Sequence, residues 1–396
     1  MKNRRTCLDL FAGAGGLSLG FEQAGCDIIA ALEKDDWAVE TYKNNHKNTK
    51  IIAEDIRKID SSTFKKFRGV DFVIGGPPCQ GFSISASNRR KENDPRNYLY
   101  QHFIRAVAVI KPEIVLVENV KEIINAKLLQ GASLLDDFIQ RLNALGYTTS
   151  YRLINAKFLG VPQDRIRFIM VGSKKGAVSL ENIETFGTHP HLLKENKKLL
   201  TIMDAISDLP EVTGNIKFED DTRLDYRCEP KNEYQKKLRI GSRGILNHVP
   251  MRHTKRIIER FNLIPIGGSM LSVPTEHAAR TRGKPEELSG KVYHQNHRRL
   301  EPDKPSRTIT ASFYSSFIHP FQNRNLTIRE AARIQSFPDK YQFFGKRSRL
   351  SEKLLAKKGI TEDIHLDQFN QVGNAIPPLM AKVIADKLIL FLNGKN

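Results

Sequence analysis

The sequence is poor in cysteine and contains no long apolar run. Its four cysteines, Cys7, Cys26, Cys79 and Cys228, form no CxxC pair. So sparse a set predicts neither a disulfide framework nor a structural zinc site, and it favours a reducing, cytoplasmic compartment. No stretch reaches the roughly 18 apolar residues that a membrane-spanning helix needs. Membrane proteins and disulfide-stapled secreted domains are therefore excluded as classes.

Acidic residues are also in short supply. Lys and Arg number 63 against 44 Asp and Glu, which gives a formal net charge of +19. Because the basic residues are spread along the chain rather than confined to a tail, they predict a folded surface that binds a polyanion. A generally basic soluble protein is the simpler alternative. The basic N-terminus runs into Asp9 and a glycine cluster, so we interpret it as a first strand and its turn, not as a signal peptide.

Short apolar runs alternate with amphipathic stretches over residues 1–172. Six of the runs resemble buried strands: TCLDLFAG, DIIAALE, KIIAED, VDFVIGG, PEIVLVENV and RFIMVG. This alternation predicts an α/β fold, with a Rossmann-like, mostly parallel sheet and helices on both faces. From about residue 173 the periodicity weakens, and Lys, Arg, Asn, Pro and Gly become more frequent. That region predicts a second, smaller, mixed and loop-rich domain.

A glycine cluster follows the first apparent strand, in LDLFAGAGGLSLGF. Gly13, Gly15 and Gly16 allow a tight turn and let a ligand approach the backbone. Glu33 ends the next strand, where a carboxylate would meet ribose hydroxyls, and Asp55 ends the third. The spacing differs from the GxGxxG of dinucleotide sites and no Walker lysine follows, so a nucleoside cofactor fits better than NAD. A structural turn with surface acids is the alternative.

The run DFVIGGPPCQGFS carries a candidate nucleophile. Its glycines and prolines predict a rigid loop at the carboxyl end of a strand, which is where open α/β sheets bind their ligands. Cys79 stands at the tip of this loop, after Pro78. A lone cysteine is usually an inert buried residue, but a cysteine fixed in such a loop beside a cofactor cleft favours nucleophilic chemistry.

Two further strands carry polar residues, one at its end and the other along one face. Glu118 and Asn119 close PEIVLVENV, either as a helix-capping pair or, if Glu118 is partly buried, as a carboxyl with a raised pKa that suits proton transfer. In VPQDRIRFIMVG, we predict that Gln163, Arg165 and Arg167 alternate along one strand face. Such a row is either a solvated face or a place that holds an anion or a polar base edge.

Together these motifs resemble the cytosine-C5 DNA methyltransferase family of bacterial restriction–modification systems. Six segments occur in the family's order: FAGAGG, GPPCQGFS, ENV, QDRIR, LTIREAARIQSFPD and QVGNAIPP. The least matched region, about 175–290, is where the family carries its variable target-recognition domain. The resemblance implies a catalytic domain of residues 1–172 plus about 366–396, and a target-recognition domain of about 173–365.

The resemblance also implies the reaction. A methyl group from S-adenosylmethionine would pass to C5 of a cytosine in a specific short sequence of double-stranded DNA, leaving S-adenosylhomocysteine. The base would flip out of the duplex, a covalent bond from cysteine to C6 would form, and no metal would take part. A monomer that associates with the nucleoid in the cytoplasm and protects host DNA in a restriction–modification system is the corresponding expectation.

Residue by residue, the resemblance assigns roles that remain expectations. Phe11 would stack near the adenine, Glu33 would bind the ribose and Asp55 the adenine amino group. Cys79 would be the nucleophile, Glu118 would contact the cytosine ring nitrogen, and Arg165 would hold the base's carbonyl oxygen and the thiolate. The catalytic set is Cys79, Glu118, Arg165, Gln163 and Arg167. The cofactor set is Phe11, Ala12, Gly13, Gly15, Gly16, Leu17, Glu33, Asp55, Ile56, Pro78, Leu99, Asn374 and Ala375.

Two alternatives stay open at the level of sequence. One is a cytosine-C5 tRNA methyltransferase on the same fold, which the intact QDRIR and the sizeable insert at about 175–320 disfavour. The other is a catalytically silent DNA-binding regulator, which the unbroken set of Cys79, Glu118 and Arg165 disfavours.

Overall fold

The chain divides into two compact units. The structure, a computed structural model, describes residues 4–78, 98–128, 131–186, 199–213, 222–281, 284–289, 296–349, 352–360 and 365–394. The first unit comprises Met1–Gly160, Arg165–Lys197 and Ala375–Asn396, and the second Val161–Asp164 and Lys198–Asn374.

A sheet that contains seven of the described strands lies at the centre of the first unit. In chain order the strands are β1 (Thr6–Leu10), β2 (Asp27–Glu33), β3 (Lys50–Ala53), β4 (Phe72–Gly75), β5 (Ile114–Val120), β6 (Thr148–Asn155), β7 (Gln163–Asp164) and β8 (Ile166–Ser173), and all except β7 belong to this sheet. Their order is β3-β2-β1-β4-β5-β8-β6. Strands β1 to β5 pair in parallel, whereas β8 is antiparallel to both β5 and β6. The predicted mostly parallel α/β sheet is confirmed.

The first unit also contains helices, several of which contact the strands of the sheet. They are α1 (Gly16–Gln23), α2 (Asp36–Asn45), α3 (Ser61–Lys65), α4 (Leu99–Ile110), α5 (Leu134–Ala144), α6 (Ile183–Phe186) and the C-terminal helix, Pro378–Leu392, with short 3₁₀ turns at Ile56–Lys58, Lys121–Asn125 and Ala156–Leu159. The apolar faces of α4 and α5 meet β4 and β5 in one buried cluster that includes Val73, Phe103, Val115 and Phe138. This burial explains why the central strands are continuous apolar runs.

Strand β6 was not among the predicted strands. Its sequence, TTSYRLIN, contains no continuous apolar run because it lies at the edge of the sheet, and Tyr151 and Leu153 are exposed there. Only residues 156–165 join β6 to β8. A connection this short favours an antiparallel pair, because parallel neighbours need a longer crossover. That is why RFIMVG runs against the other predicted strands.

The first unit extends past residue 172, where the sequence placed its boundary. Hydrogen bonds tie the following segment to the sheet edge and the C-terminal helix. Ser150 Oγ donates to the Val178 carbonyl over 2.6 Å, and Lys387 Nζ donates to the Glu181 carbonyl over 3.0 Å. The described residues that follow β8, up to Phe186, therefore belong with the sheet rather than with the loop-rich region.

The second unit likewise extends past residue 365, up to Asn374. The Asn370 amide donates to the Ala311 carbonyl over 3.2 Å. Gly373 packs so closely on the Thr310 backbone that a Cβ there would lie 2.3 Å from the Thr310 carbonyl. These contacts hold the helix Gln368–Asn374 in the second unit, and the chain re-enters the first unit at Ala375.

The C-terminal helix packs tightly on α1 inside the first unit. A Cβ added at Gly20 would lie 2.3 Å from the Ala381 Cβ and 2.6 Å from the Pro378 carbonyl oxygen. Backbone neighbours cannot yield at such distances, so the absence of a side chain at Gly20 allows the two helices to approach. The last described helix thus packs on α1, which itself contacts β1 and β2.

The second unit is mixed and loop-rich. Its two-stranded pairs are β7 with β12 (Ser306–Arg307), β9 (Arg280–Thr281) with β10 (Lys284–Leu288), and β11 (Arg298–Arg299) with β13 (Phe317–Ile318). Its helices and 3₁₀ turns are Ile202–Ile206, Glu233–Leu238, Lys255–Asn262, Met270–Ser272, Thr275–His277, Phe313–Ser316, Ile328–Ile334, Glu352–Lys357 and Gln368–Asn374. Among the described residues of the chain, no helix is long and apolar enough to cross a membrane.

Candidate active site

The glycine turn, residues 11–16, links β1 to α1. Phe11, Gly13 and Gly15 all have positive φ angles, of 62°, 54° and 86°. Glycine adopts this left-handed region freely, whereas Phe11 is a non-glycine exception of the kind found at ligand sites. A Cβ built at Gly13 meets nothing within 4 Å, so the backbone conformation, not crowding, requires this glycine.

The Glu33 carboxylate holds this turn from the end of β2. Its Oε2 accepts the Gly13 N–H over 2.8 Å, and its Oε1 accepts the N–H groups of Lys34 and Asp35 over 2.8 and 2.9 Å. Burial raises the pKa of Glu33, and the three backbone donors oppose that rise. The predicted ribose-binding residue is thus attached to the predicted cofactor loop.

Asp55 follows β3 and caps the 3₁₀ turn Ile56–Lys58. Arg57 donates to both of its carboxylate oxygens, from Nε over 2.9 Å and from Nη2 over 2.6 Å. These hydrogen bonds from Arg57 hold the pKa of Asp55 well below its usual range, so the side chain is an ionised acceptor. A further donor, Arg105 Nη2 on α4, bonds the Ile56 carbonyl over 2.7 Å and fixes the same turn.

The other predicted cofactor residues divide by burial. Ala12, Gly15, Gly16, Leu17, Ile56 and Leu99 are buried, and Phe11, Gly13, Pro78 and Ala375 are half-buried. Asn374 is exposed and is the last residue of the second unit. Every other member of the predicted cofactor set belongs to the first unit.

Cys79 lies outside the described residues, but the segment that leads to it is described. The Asn119 amide, at the end of β5, donates to the Pro77 carbonyl over 2.9 Å. A Cβ at Gly76 would lie 3.1 Å from Glu118 Oε2, so the backbone before the cysteine passes directly beside that carboxylate. The sequence pointed to Asn119 only as part of a capping pair; its bond to Pro77 depends on strand order, which local sequence does not reveal.

Glu118 and Arg167 form an ion pair across β5 and β8. Arg167 Nε lies 2.9 Å from Glu118 Oε1, and their side chains are only 12% and 15% exposed. Burial raises the pKa of Glu118, while the charges of Arg167 and Arg165 oppose the rise. This carboxyl is therefore nearer to protonation than a free glutamate, as the sequence analysis predicted for a partly buried strand-end acid.

Arg165, which lies between β7 and β8 along the chain, is fully buried. Its Nη2 donates to the Ala375 carbonyl over 2.9 Å, and its own carbonyl accepts the Ala156 N–H over 2.9 Å. Burial and the nearby Arg167 lower the pKa of Arg165, but a guanidinium keeps its proton in proteins. Arg165 thus joins the start of the C-terminal segment to the end of the sheet.

The expectation that Gln163, Arg165 and Arg167 share one strand face is wrong. Strand β7 ends at Asp164 and β8 begins at Ile166, so the row is interrupted. The buried Gln163 amide donates to Gln335 Oε1 over 2.9 Å and accepts the Ile309 N–H over 2.8 Å. A buried amide needs both a donor and an acceptor, and the second unit supplies them.

Among the described residues, no group of three or more His, Cys, Asp or Glu side chains could hold a metal ion.

Comparisons with known proteins identify the family of this chain. The model of the family described as C-5 cytosine-specific DNA methylase matches residues 5–390. The type II methyltransferase M.DdeI of Desulfomicrobium norvegicum is 42% identical over 98% of this chain and 89% of its own length. The type II methyltransferase M1.HphI of Haemophilus parahaemolyticus is 31% identical over 97% and 86%.

Solved structures agree as well. A protein described as a DNA modification methyltransferase encoded within an E. coli prophage superposes with a TM-score of 0.72, at 25% identity, over 98% of this chain and 99% of that one. The Dnmt2 methyltransferase of S. pombe shares the fold, with a TM-score of 0.58 at 17% identity over 99% of each chain. The chain therefore belongs to the C-5 cytosine-specific DNA methylase family, of the kind found in bacterial restriction–modification systems, and is a DNA (cytosine-5-)-methyltransferase.

Proposed function

We propose that this enzyme methylates C5 of one cytosine in a short double-stranded DNA sequence, using S-adenosylmethionine, base flipping and a covalent bond from Cys79 to C6. The bond from Asn119 to the Pro77 carbonyl carries this proposal. It attaches the backbone two residues before Cys79 to β5, the strand that carries Glu118, and this supports a single site for the proposed nucleophile and the carboxyl.

The residues around the glycine turn suit the methyl donor. S-adenosylmethionine, when bound, supplies a methyl group on a positively charged sulfur. The ionised Asp55 provides acceptors for an amino group, and Glu33 at the end of β2 provides them for ribose hydroxyls. Gly13 leaves open space above the backbone, and Phe11 lies half-buried beside it for stacking on a purine.

Cys79 would act as a thiolate that adds to C6 of the cytosine. This addition breaks the ring's aromaticity and places electron density on C5, which then takes the methyl group. Loss of the C5 proton and expulsion of the Cys79 thiolate restore the ring. Nearby positive charge lowers the pKa of a thiol, and the buried Arg165 guanidinium is our candidate for that charge.

Glu118 would hold a proton at N3 of the cytosine during the addition. A carboxyl with a raised pKa can share a proton with a ring nitrogen near neutral pH. Arg167 orients the carboxylate by binding one of its oxygens, Oε1. Gln163, held by Gln335 and Ile309, would act on the position of Arg165 rather than on the base.

The target cytosine must leave the duplex, because its C5 and C6 atoms are stacked there. The basic residues of the second unit would supply contacts to phosphates, and a few side chains there would read bases. Arg256 and Arg280 are exposed or half-exposed members of this set.

Bisulfite sequencing of DNA from cells that express the chain tests the proposal. New protected cytosines in one short sequence context are expected with the wild type and with Cys228→Ala, which removes a half-buried cysteine of the second unit. They should vanish with Cys79→Ala. Unprotected DNA together with a labelled methyl group in tRNA would overturn the choice of DNA, and absence of transfer to either would favour a silent DNA-binding protein.

We further propose that the methylation protects host DNA in the cytoplasm against a partner endonuclease. Plasmids recovered from cells that express the chain should resist an endonuclease that cuts the same DNA sequence in its unmethylated form. Full cleavage of these plasmids at fully methylated sites would contradict the protective role.

A further inference from the structure

Two polar contacts join helices α1 and α2 at matched positions. Tyr42 Oη donates to Ser18 Oγ over 2.7 Å, and His46 Nδ1 lies 2.9 Å from Glu22 Oε1. Ser18 and Glu22 are four residues apart, as are Tyr42 and His46, so each pair occupies one face of its segment. The Tyr42 and His46 rings also stack, with centroids 4.1 Å apart. The two helices are therefore fixed to each other at two successive turns.

The inner contact continues to strand β1. Ser18 Oγ donates to Asp9 Oδ2 over 2.6 Å, and Asp9, Ser18 and Tyr42 are all almost completely buried. No hydrogen-bond partner of Asp9 Oδ1 exists among the described residues. We call Tyr42, Ser18 and Asp9 the hydroxyl relay. Hydrogen bonds that follow one another in this way are strong in a water-free interior. If one member is removed, its neighbour is left as a buried polar group without a hydrogen-bond partner, and its desolvation cost is not compensated.

The hydroxyl relay lies at the first turn of α1, which has no hydrogen bond from an N-cap side chain. Gly15 occupies the N-cap position with a left-handed backbone, and no side chain caps the helix. An N-cap side chain normally bonds the second or third helical N–H and so fixes the first turn. Ser18 is the third residue of α1, and its hydroxyl anchors that same turn to β1 and α2 instead.

We propose that Tyr42 and Ser18 are positioning residues for the methyl donor: through Asp9 they fix the first turn of α1, and with it the glycine turn that binds the donor. Tyr42 projects from α2 and has no place in the cofactor set of the sequence analysis. The inference rests on the proposed use of S-adenosylmethionine. The relay acts on affinity for the donor and not on the chemistry at the cytosine.

The test is Tyr42→Phe, which removes one hydroxyl and keeps the ring. KM for S-adenosylmethionine should rise about fivefold to tenfold, as loss of one buried hydrogen bond predicts, with kcat at saturating donor unchanged. Titration calorimetry with S-adenosylhomocysteine should show the same loss of affinity. The matched control is Tyr147→Phe, because Tyr147 is also buried in the first unit and donates to the Pro112 carbonyl over 2.8 Å. Its KM should equal that of the wild type.

A double-variant cycle separates positioning from general destabilisation. Ser18→Ala should reproduce the effect of Tyr42→Phe, and the two changes together should cost little more than either, since both interrupt one relay. Additive effects would mean that the hydroxyls act independently and would overturn the relay. Melting temperatures of all four proteins show whether any variant fails to fold.

The outcomes for donor and relay are distinct. If the wild type binds S-adenosylmethionine and Tyr42→Phe binds it equally well, the inference is wrong and the proposed function stands. If Tyr42→Phe and Tyr147→Phe raise KM equally, the role is merely structural and the inference is again wrong. If the wild type neither binds nor uses the donor, the proposed function fails first and the inference falls with it.

Discussion

Both units contain buried carboxylates next to arginines, but the two groupings differ in how completely they are paired. In the second unit, Arg333 bonds both oxygens of Asp339, over 2.8 and 2.6 Å, and also bonds Asp208, with every side chain fully buried. In the first unit, Arg167 meets one oxygen of Glu118, and both side chains keep some exposure. Complete pairing suits a structural core, whereas partial pairing leaves an oxygen for a ligand.

The pKa shifts of the two acids follow this difference. Burial alone would raise both, but the charge and hydrogen bonds of Arg333 bring the pKa of Asp339 below its usual value. For Glu118, burial outweighs the arginines and the pKa is raised. The same two kinds of group, a carboxyl and a guanidinium, thus favour the ionised carboxylate of Asp339 in one unit and the protonated carboxyl of Glu118 in the other.

The largest expected effect comes from removing Arg333 from its buried ion pairs with Asp208 and Asp339. Arg333→Met leaves Asp208 and Asp339 buried without their common cation, so the free energy of unfolding should fall by about 3–5 kcal/mol. Urea denaturation measures this loss. The control is Arg227→Met, whose ion pair with Glu211 is exposed and should contribute below about 1 kcal/mol. Equal losses in the two variants would show that the buried cluster is not what stabilises the second unit.

The second largest expected effect comes from changing Glu118 in its ion pair with Arg167, and it should appear in the activity of the enzyme. Glu118→Gln keeps the size of the side chain but cannot deliver a proton, so kcat should fall by about 10²- to 10⁴-fold. Stability should fall less than in Arg333→Met, because Arg167 retains access to water. Steady-state kinetics and urea denaturation together provide the comparison. Glu184→Gln, which alters an ion pair with Arg152 elsewhere in the first unit, should leave kcat unchanged.

The sequence predicted a role for Glu118 but not the ion pairs of Arg333 with Asp208 and Asp339, and the reason is physical. Glu118 ends a run of β-branched residues, and the carboxyl end of a strand is a place that local pattern identifies. Asp208 lies 125 residues from Arg333 in the chain. Asp339 follows Arg333 by six residues but lies beyond the end of its helix, so helical periodicity does not pair the two. The hydroxyl relay from Tyr42 to Asp9 joins residues of three different elements, so the local sequence pattern does not predict it either.

Strands were predictable to the extent that they are buried. The runs that became β1, β4 and β5 are covered on both faces, so their apolar character identified them. The edge strand β6 lacks that cover and was missed. Gln163 looked like a neighbour of Arg165 in sequence, but its amide found partners at Gln335 and Ile309, which no periodicity could reveal.

Asp9 extends the comparison to a buried acid with which no arginine pairs among the residues that the structure describes. Burial raises its pKa to about 7, the bond from Ser18 opposes the rise, and the Glu33 carboxylate adds to it. The folded protein therefore holds a proton on Asp9 at pH values where the unfolded chain, with a pKa near 4, has released it. Stability from this group is present at low pH and declines as the pH rises from about 4 to about 7, the opposite of a carboxyl whose pKa is lowered.

The smallest of the three expected effects follows from this decline of stability with rising pH. Asp9→Asn keeps an acceptor for Ser18 and removes the ionisation, so its melting temperature relative to the wild type should rise between about pH 4 and about pH 7. Thermal scans of both proteins at several pH values measure the difference. Asp60→Asn is the control, because Asp60 caps the helix α3 and its pKa is lowered, so this variant should lose stability relative to the wild type at neutral pH rather than gain it. A difference for Asp9→Asn that stays constant with pH would mean that Asp9 is ionised in the folded protein throughout, and that a cation compensates it as Arg333 compensates Asp339.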